Sequence, residues 1–290
     1  MSDSTKTAEE FCVYKPHKAG LPKMGEYFSE LWRRRDFAIE LSHTNMRATN
    51  TNTFLGQLWL VINPLLLAGV YFLLVVVLSG NKDSVANFPQ ITSGLFLFFY
   101  VTGAMTACAT AVTNAGGLVL NMNFPKMLLI FSNVYMAFRR FLPTLGVYFV
   151  IHLAFLPQGT VFSPQMLWMP VVILLATVLA VRLGSLVATW HVYFRDTAQF
   201  LPYFIRIWLY LSPVLYTAEY FLGTSLGKAV GPLMEKVNPM FALLGVWSDA
   251  LHGEPINWTY LGIAAAWAIG LAVVGSLYFM SRERDFAVRL

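Results

Sequence analysis

The sequence predicts an all-α integral membrane protein with six transmembrane helices. The composition is 57% hydrophobic and only 12% charged, six apolar segments have roughly membrane-spanning length, and the basic residues concentrate between alternate segments. About 20 mainly apolar residues cross the hydrocarbon core, where a helix satisfies its own backbone polar groups. The predicted spans are residues 58–79, 94–113, 141–156, 166–190, 200–216 and 258–280, and the third reaches that length only with flanking residues.

The distribution of Lys and Arg predicts the orientation of these spans. Of the 20 basic residues, 15 lie in the amino-terminal segment, the second and fourth loops and the carboxyl-terminal tail, and 3 lie in the other loops. Arg182 and Arg206 lie within spans. Because Lys and Arg accumulate in cytoplasmic loops, both termini are expected in the cytoplasm. The net charge of +5 is then expected to face anionic lipid rather than nucleic acid.

Three regions are expected along the chain: a cytoplasmic tail with an amphipathic interface helix at 1–57, a six-helix transmembrane domain at 58–280, and a cytoplasmic tail at 281–290. Phe28, Leu31, Trp32 and Arg35 share one face of the amino-terminal helix. This pattern is typical of a helix that lies in the membrane interface with its Trp at headgroup depth. A cytosolic helix packed against a partner would show the same pattern.

The long loop 217–257 before the sixth span is predicted to contain short re-entrant or interfacial helices. Its apolar part, 237–251, is too short to cross a membrane. Asn238-Pro239 would start a helix there, since Pro suits the first helical position.

The sequence lacks the residues that ion coupling, nucleotide binding and metal binding require. No predicted span contains Asp or Glu, which ion-coupled carriers use, and the string Gly223–Lys228 departs from a phosphate-binding loop. Cys12 and Cys108 predict neither a disulfide nor a metal site. We therefore expect no catalytic residue, metal or cofactor in this chain, and energy for any uphill transport would come from another protein.

Arginines near the inner face are candidates for binding an anionic headgroup. The favoured explanation is snorkelling for Arg182 and Arg206 and positive-inside anchoring for Arg139 and Arg140. A binding role is the alternative, because charges at membrane depth tend to be functional. The headgroup candidates are Arg47, Arg139, Arg140 and Arg206, with Arg47 and Arg139 favoured.

Dense aromatic residues in the second and fifth spans fit core packing and interface belts, or a surface on which sugar rings stack. The candidates for stacking are Phe96, Phe99, Tyr100, Trp208 and Tyr210. Small residues also recur every fourth position, which allows close helix packing within one subunit or at a dimer seam. They are Gly103, Ala107, Ala111 and Ala115, then Gly262, Ala266 and Gly270.

Four stretches together resemble the permease subunit of ABC transporters that export polysaccharides. They are Leu55-Gly56-Gln57-Leu58-Trp59 with Asn63-Pro64-Leu65; Asn123-Phe124-Pro125-Lys126; Phe194-Arg195-Asp196 with Ser212-Pro213-Val214; and Asn238-Pro239-Met240 with Arg284-Asp285-Phe286-Ala287. Each is weak alone, but their order and spacing over 54–287 are fairly specific. One departure is Thr44-Asn45-Met46-Arg47, where the family often has a basic run before the first span.

The resemblance implies a homodimer in the bacterial cytoplasmic membrane that carries two copies of a separate ATPase, with ATP and Mg bound by that partner. A coupling helix in the second cytoplasmic loop would contact the ATPase through Asn121, Asn123, Phe124, Pro125 and Lys126. The cargo would be a polyprenyl-pyrophosphate-linked polysaccharide: O-antigen, teichoic acid or a cell-wall galactan, the last favoured by the departure at Arg47. The alternatives are an ABC permease for drugs or small lipids and a membrane-embedded glycan transferase.

Overall fold

The computed structural model describes residues 23–50, 55–79, 88–158, 160–216 and 218–290. Regular structure in these ranges is helical and includes no strand, so the predicted all-α class is confirmed. The tail expected at the start of the chain, residues 1–22, lies outside the described ranges.

The amino-terminal region forms two helices, α1 (Met24–Arg33) and α2 (Arg35–Asn50), which meet at Arg34. Helix α1 buries Tyr27 and Leu31 while Phe28 and Trp32 remain exposed. The expected amphipathic helix is therefore present, and its place at a membrane interface stays a prediction.

The remaining helices follow in chain order. They are α3 (Trp59–Ser79), α4 (Phe88–Ala109), α5 (Ala111–Asn114), α6 (Gly116–Asn121), α7 (Met127–Ala154), α8 (Met169–Tyr193), α9 (Thr197–Leu211), α10 (Ala218–Gly223), α11 (Ser225–Val237), α12 (Pro239–His252), α13 (Trp258–Arg282) and α14 (Phe286–Arg289). Short 3-10 turns at Gly56–Leu58, Leu156–Gln158, Pro164–Trp168 and Glu283–Asp285 lie between some of them.

Four helical stretches among the described residues are long and apolar enough to cross a membrane: Phe88–Ala109, Met127–Ala154, Pro164–Tyr193 and Trp258–Arg289. The first expected span corresponds to α3, which has 21 residues from Trp59 to Ser79. The fifth expected span corresponds to α9, which has 15 residues. A chain with transmembrane helices is thus supported, whereas the count of six stays a prediction.

The helix that contains the third expected span begins well before that span. Helix α7 starts at Met127, not near residue 141, and it continues unbroken through Arg139 and Arg140 to Ala154. The predicted span began after these residues because two adjacent arginines resemble the end of a span in composition, and its membrane boundary stays a prediction. Backbone hydrogen bonding continues through them, since long basic side chains can direct their charge away from the hydrocarbon.

The core of the bundle is built around α4, which packs against α7 and α8, while α8 also packs against α13. Helices α4 and α8 approach very closely at Gly184, where an added Cβ would lie 2.8 Å from the Cys108 Sγ. Glycine at this position therefore sets the distance between the two helices.

Short helices α10, α11 and α12 occupy the segment before α13, as the sequence predicted, while their re-entrant placement stays a prediction. Asn238 caps α12 by accepting a hydrogen bond from the Met240 N–H at 3.0 Å, and Pro239 follows at the first helical position. Helix α12 is apolar on nearly all sides and packs among α4, α8 and α13. This burial explains why its sequence lacks an amphipathic period.

Candidate functional site

The segment between α4 and α7 presents a small exposed surface. Helix α6 leaves Leu120 exposed by 59%, and the following Met122 is exposed by 45%. Asn121 and Asn123 are exposed beside them, and the Asn121 side-chain amide donates to the Gly117 carbonyl oxygen at 2.9 Å. Two exposed large apolar side chains, one of them a Met, are thus available there for contact with another protein.

The second half of this segment is anchored in the protein. Phe124 and Pro125 are buried, and the Phe124 ring centroid lies 5.5 Å from that of Phe37 in α2. The Lys126 ammonium lies 5.2 Å from the centroid of the Phe124 ring. Burial lowers the pKa of Lys126, and the carboxylate of Glu283 partly opposes this shift. The exposed residues 120–123 are therefore followed directly by residues that are packed in the bundle.

One buried carboxylate, that of Glu283, joins three separate segments of the chain. Its Oε2 accepts a hydrogen bond from the Tyr27 hydroxyl of α1 at 2.5 Å, and its Oε1 accepts one from the Lys126 backbone N–H at 2.5 Å. Glu283 is only 8% exposed. Burial and the nearby Glu283 raise the pKa of Tyr27, so its hydroxyl stays protonated and acts as the donor. The amino-terminal helix, the exposed segment and the carboxyl-terminal tail thus meet at one residue.

Arg34, at the junction of α1 and α2, adds a second connection. Its Nη1 donates to the Asn123 carbonyl oxygen at 2.9 Å, and its Nη2 lies 2.8 Å from the Glu30 carboxylate. Sequence reasoning missed Arg34, Tyr27 and Glu283, because no spacing along the chain indicates contacts between its two ends.

A second feature is a cavity of about 380 Å³ between α3, α4 and α7. It brings together four of the predicted residues: Phe96, Phe99 and Tyr100 from α4, and Arg140 from α7. Asn63 and Thr144 contribute further polar groups. The cavity therefore combines aromatic surface with a cation inside a helix that is long enough to span a membrane.

Tyr100 is held rigidly at this cavity. Its hydroxyl and the Thr177 hydroxyl are 2.8 Å apart, and its ring is stacked on Phe141 with a centroid distance of 4.7 Å. A fixed aromatic wall suits recognition because little side-chain freedom is lost when a ligand binds.

The other predicted residues lie elsewhere. Arg47 is exposed in the last turn of α2, Arg206 is exposed on α9, and half-buried Arg139 does not line the cavity. Tyr210 is exposed on α9.

Trp208 and Arg182 have partners in the bundle. The buried Trp208 donates from Nε1 to the Asn238 side-chain oxygen at 2.8 Å, which agrees with the core-packing alternative. Arg182 in α8 donates to the Ser276 hydroxyl of α13 at 2.5 Å, a contact that links two helices. Within the described ranges, no three His, Cys, Asp or Glu side chains are grouped as a metal site would require.

Comparison with known proteins gives relatives that cover most of the chain. The chain is 27% identical to the O-antigen export system permease protein RfbA of Myxococcus xanthus over 261 residues. This alignment covers 89% of this chain and 96% of the relative. The chain is 23% identical over 255 residues to the protein of that name from Klebsiella pneumoniae, spanning 87% of this chain and 94% of the relative. The resemblance to polysaccharide-export permeases is confirmed. No protein-family model matches the chain.

The alignment leaves out only about a tenth of the chain. It supports a transport role rather than an enzymatic one, since these relatives are named as permease proteins. It favours neither the drug permease nor the glycan transferase considered from the sequence.

Proposed function

We propose that this chain is the membrane permease subunit of an ABC transporter that exports a lipid-linked polysaccharide. The observation that carries the proposal is the similarity to O-antigen export permeases over nearly the full length of both chains. The relatives are named for O-antigen export, and the candidate cargoes here are an O-antigen, a teichoic acid and a galactan.

A separate ATPase supplies the energy and docks on α6 and the residues that follow it. The support is geometric: Leu120 and Met122 are exposed, while Phe124 and Pro125 anchor the same segment in the bundle. A movement of the docked ATPase is thereby applied to a segment that is connected to α1, α2 and the carboxyl-terminal tail. ATP and Mg²⁺ bind to the partner in this scheme, and this chain contributes only the docking surface.

The cavity beside Arg140 holds the pyrophosphate and first sugars of the cargo. Arg140 lies about 20 Å along α7 from its start, by the 1.5 Å rise per residue of an α-helix. Helix α7 has 28 residues, about 42 Å, and exceeds the ~30 Å hydrocarbon core, which supports a position for Arg140 inside the membrane even with the whole excess on the cytoplasmic side. Charged residues at such depth tend to be functional, and the planar guanidinium suits phosphate oxygens. Phe99 and Tyr100 then offer aromatic surface for a sugar.

The complete transporter is a homodimer with two ATPase subunits in the bacterial cytoplasmic membrane, with both termini in the cytoplasm. The Lys and Arg asymmetry supports this orientation. The contacts of α1, the 114–126 segment and the tail at Glu283 also support it, because residues that meet there lie on one side of the membrane.

Deletion of the coding sequence in the native host tests the proposal. We expect loss of a surface polysaccharide and accumulation of lipid-linked glycan inside the cell, with both restored by the intact chain. Purification of the tagged chain should recover an ATPase subunit in an amount equal to that of the permease chain. Unchanged surface glycan together with altered drug resistance would favour the drug permease. Glycan that is exported but incompletely assembled would favour the transferase.

A further inference from the structure

A long apolar groove lies on a different side of the bundle from the cavity at Arg140. It has a volume of about 840 Å³ and runs between α1 and α2, α7 and α8. Along α7 it extends from Leu128 to Leu142, about 21 Å at 1.5 Å per residue. This length exceeds half of the ~30 Å hydrocarbon core, so the groove is long enough for an acyl chain of one leaflet.

The lining of this groove is almost entirely apolar or aromatic, and the exceptions are Arg35 and Thr177. The Thr177 hydroxyl already donates to the Ile173 carbonyl oxygen at 2.7 Å and pairs with the Tyr100 hydroxyl. Among the described residues that line the groove, Arg35 is thus the charged one, and it lies where α2 begins.

Two walls of the groove belong to α7 and α8, both long and apolar enough to cross a membrane. The exposed apolar side chains of such helices face hydrocarbon, so acyl chains are adjacent to the groove. Leu174 of α8, exposed by 63%, is one of these side chains.

The polar end of the groove has the composition of a phosphate site at a membrane interface. The Arg35 guanidinium lies 5.0 Å from the centre of the Trp32 ring, and both side chains are exposed. Trp favours the headgroup region, and the planar donors of Arg fit two phosphate oxygens. The Asp36 carboxylate lies 3.8 Å from the Arg35 Nε, a long ion pair between exposed groups that contributes little.

We propose that this groove binds one acyl chain of an anionic glycerophospholipid whose phosphate contacts Arg35. The lipid fills the space beneath the amphipathic helices and fixes them against α7 and α8. This site is independent of the cargo and of the ATPase, and it stands whether or not the chain exports a polysaccharide.

Native mass spectrometry of the purified full-length chain tests the site. The detergent contains phosphatidylglycerol and phosphatidylcholine in equal amounts, and the lipids retained per chain are counted after washing. We expect one retained phosphatidylglycerol per chain, with phosphatidylcholine retained less. Arg35→Glu should reduce the retained phosphatidylglycerol at least about fivefold, because loss of one basic residue near an anionic surface gives about that factor and Glu adds repulsion. Leu174→Trp, which fills the groove, should reduce retention of both lipids.

Two matched variants make the result specific. Arg33→Glu introduces the same charge change on exposed α1 surface outside the groove, and Val171→Trp adds the same side chain to α8 outside it. Both should retain lipid as the native chain does. Equal retention of the two lipids, or unchanged retention in Arg35→Glu, would overturn the proposal. Conversion of a dimer to a monomer by Leu174→Trp with unchanged lipid would instead assign the groove to a second copy of this chain.

Discussion

Replacing Glu283 with Ala removes the carboxylate oxygens that connect three segments of the chain. Oε2 accepts from the Tyr27 hydroxyl and Oε1 accepts from the Lys126 backbone N–H. Hydrogen bonds to an ionised group contribute about 1.5–3 kcal/mol each. The desolvation of a buried carboxylate offsets part of their sum, so we expect the free energy of unfolding to fall by about 2–4 kcal/mol.

A double-mutant cycle separates the contact from general damage to the protein. Tyr27→Phe removes only the hydroxyl and is expected to lower the free energy of unfolding by about 1–2 kcal/mol. The two side chains share one hydrogen bond, which each single variant already removes. The loss of unfolding free energy in the double variant should therefore be smaller than the sum of the two single losses, by about 1–2 kcal/mol. Glu26→Ala is the control, since Glu26 is exposed and pairs only with the exposed Lys23 among the described residues. Its effect should stay within about 0.5 kcal/mol.

Two assays measure these effects. Unfolding in mixed micelles of increasing denaturing detergent gives the free energy, and trypsin cleavage after Lys126 reports on local opening of the segment. A local loss of about 2 kcal/mol should raise the cleavage rate about thirtyfold. Strictly additive losses, or cleavage after Lys126 no faster in Glu283→Ala than in the Glu26→Ala control, would refute the view that Glu283 fixes this segment.

Three further predictions follow from the proposed function. Arg140→Lys should slow glycan export about tenfold in a surface-glycan assay, because it removes a bidentate phosphate contact worth about 1.5 kcal/mol. Arg139 does not line the cavity, so Arg139→Lys should export normally in the same assay. Leu120→Glu should weaken co-purification of the ATPase without reducing the amount of folded chain, and equal recovery of the ATPase would contradict docking at α6. In a variant without its native cysteines, a cysteine introduced at Ser225 should react with an impermeant reagent on intact cells, whereas one introduced at Ser4 should not. The reverse pattern would show that the topology is inverted.

The sequence was informative where local chemistry decides the structure. Asn238-Pro239 predicted the start of a helix, and Asn238 does cap α12 through a hydrogen bond to the Met240 N–H. The apolar stretch after it predicted a helix too short to cross a membrane, as observed for α12, which has 14 residues. Both inferences depend on residues adjacent in the chain, for which capping and length rules are reliable.

Contacts between distant residues could not be predicted in this way. Tyr27 and Glu283 are 256 positions apart, and Glu283 lies in a run of charged residues that resembles an ordinary solvated tail. Its burial depends on α1 and the segment before α7 meeting the end of α13 in three dimensions. Gly184 is a similar case. A Cβ at this position would lie 2.8 Å from the Cys108 Sγ only because α4 and α8 pack together in the folded chain.

The position of Arg140 shows why composition and function diverge in a membrane helix. Composition places the boundary of a span at adjacent arginines, because charge is costly in hydrocarbon. The helix instead continues for 13 residues before Arg140 and 14 after it, so the charge lies near the middle of α7. There it borders a cavity with Phe96, Phe99 and Tyr100 on the facing helix. This position beside aromatic side chains is the basis of the proposal that an anionic ligand binds at Arg140.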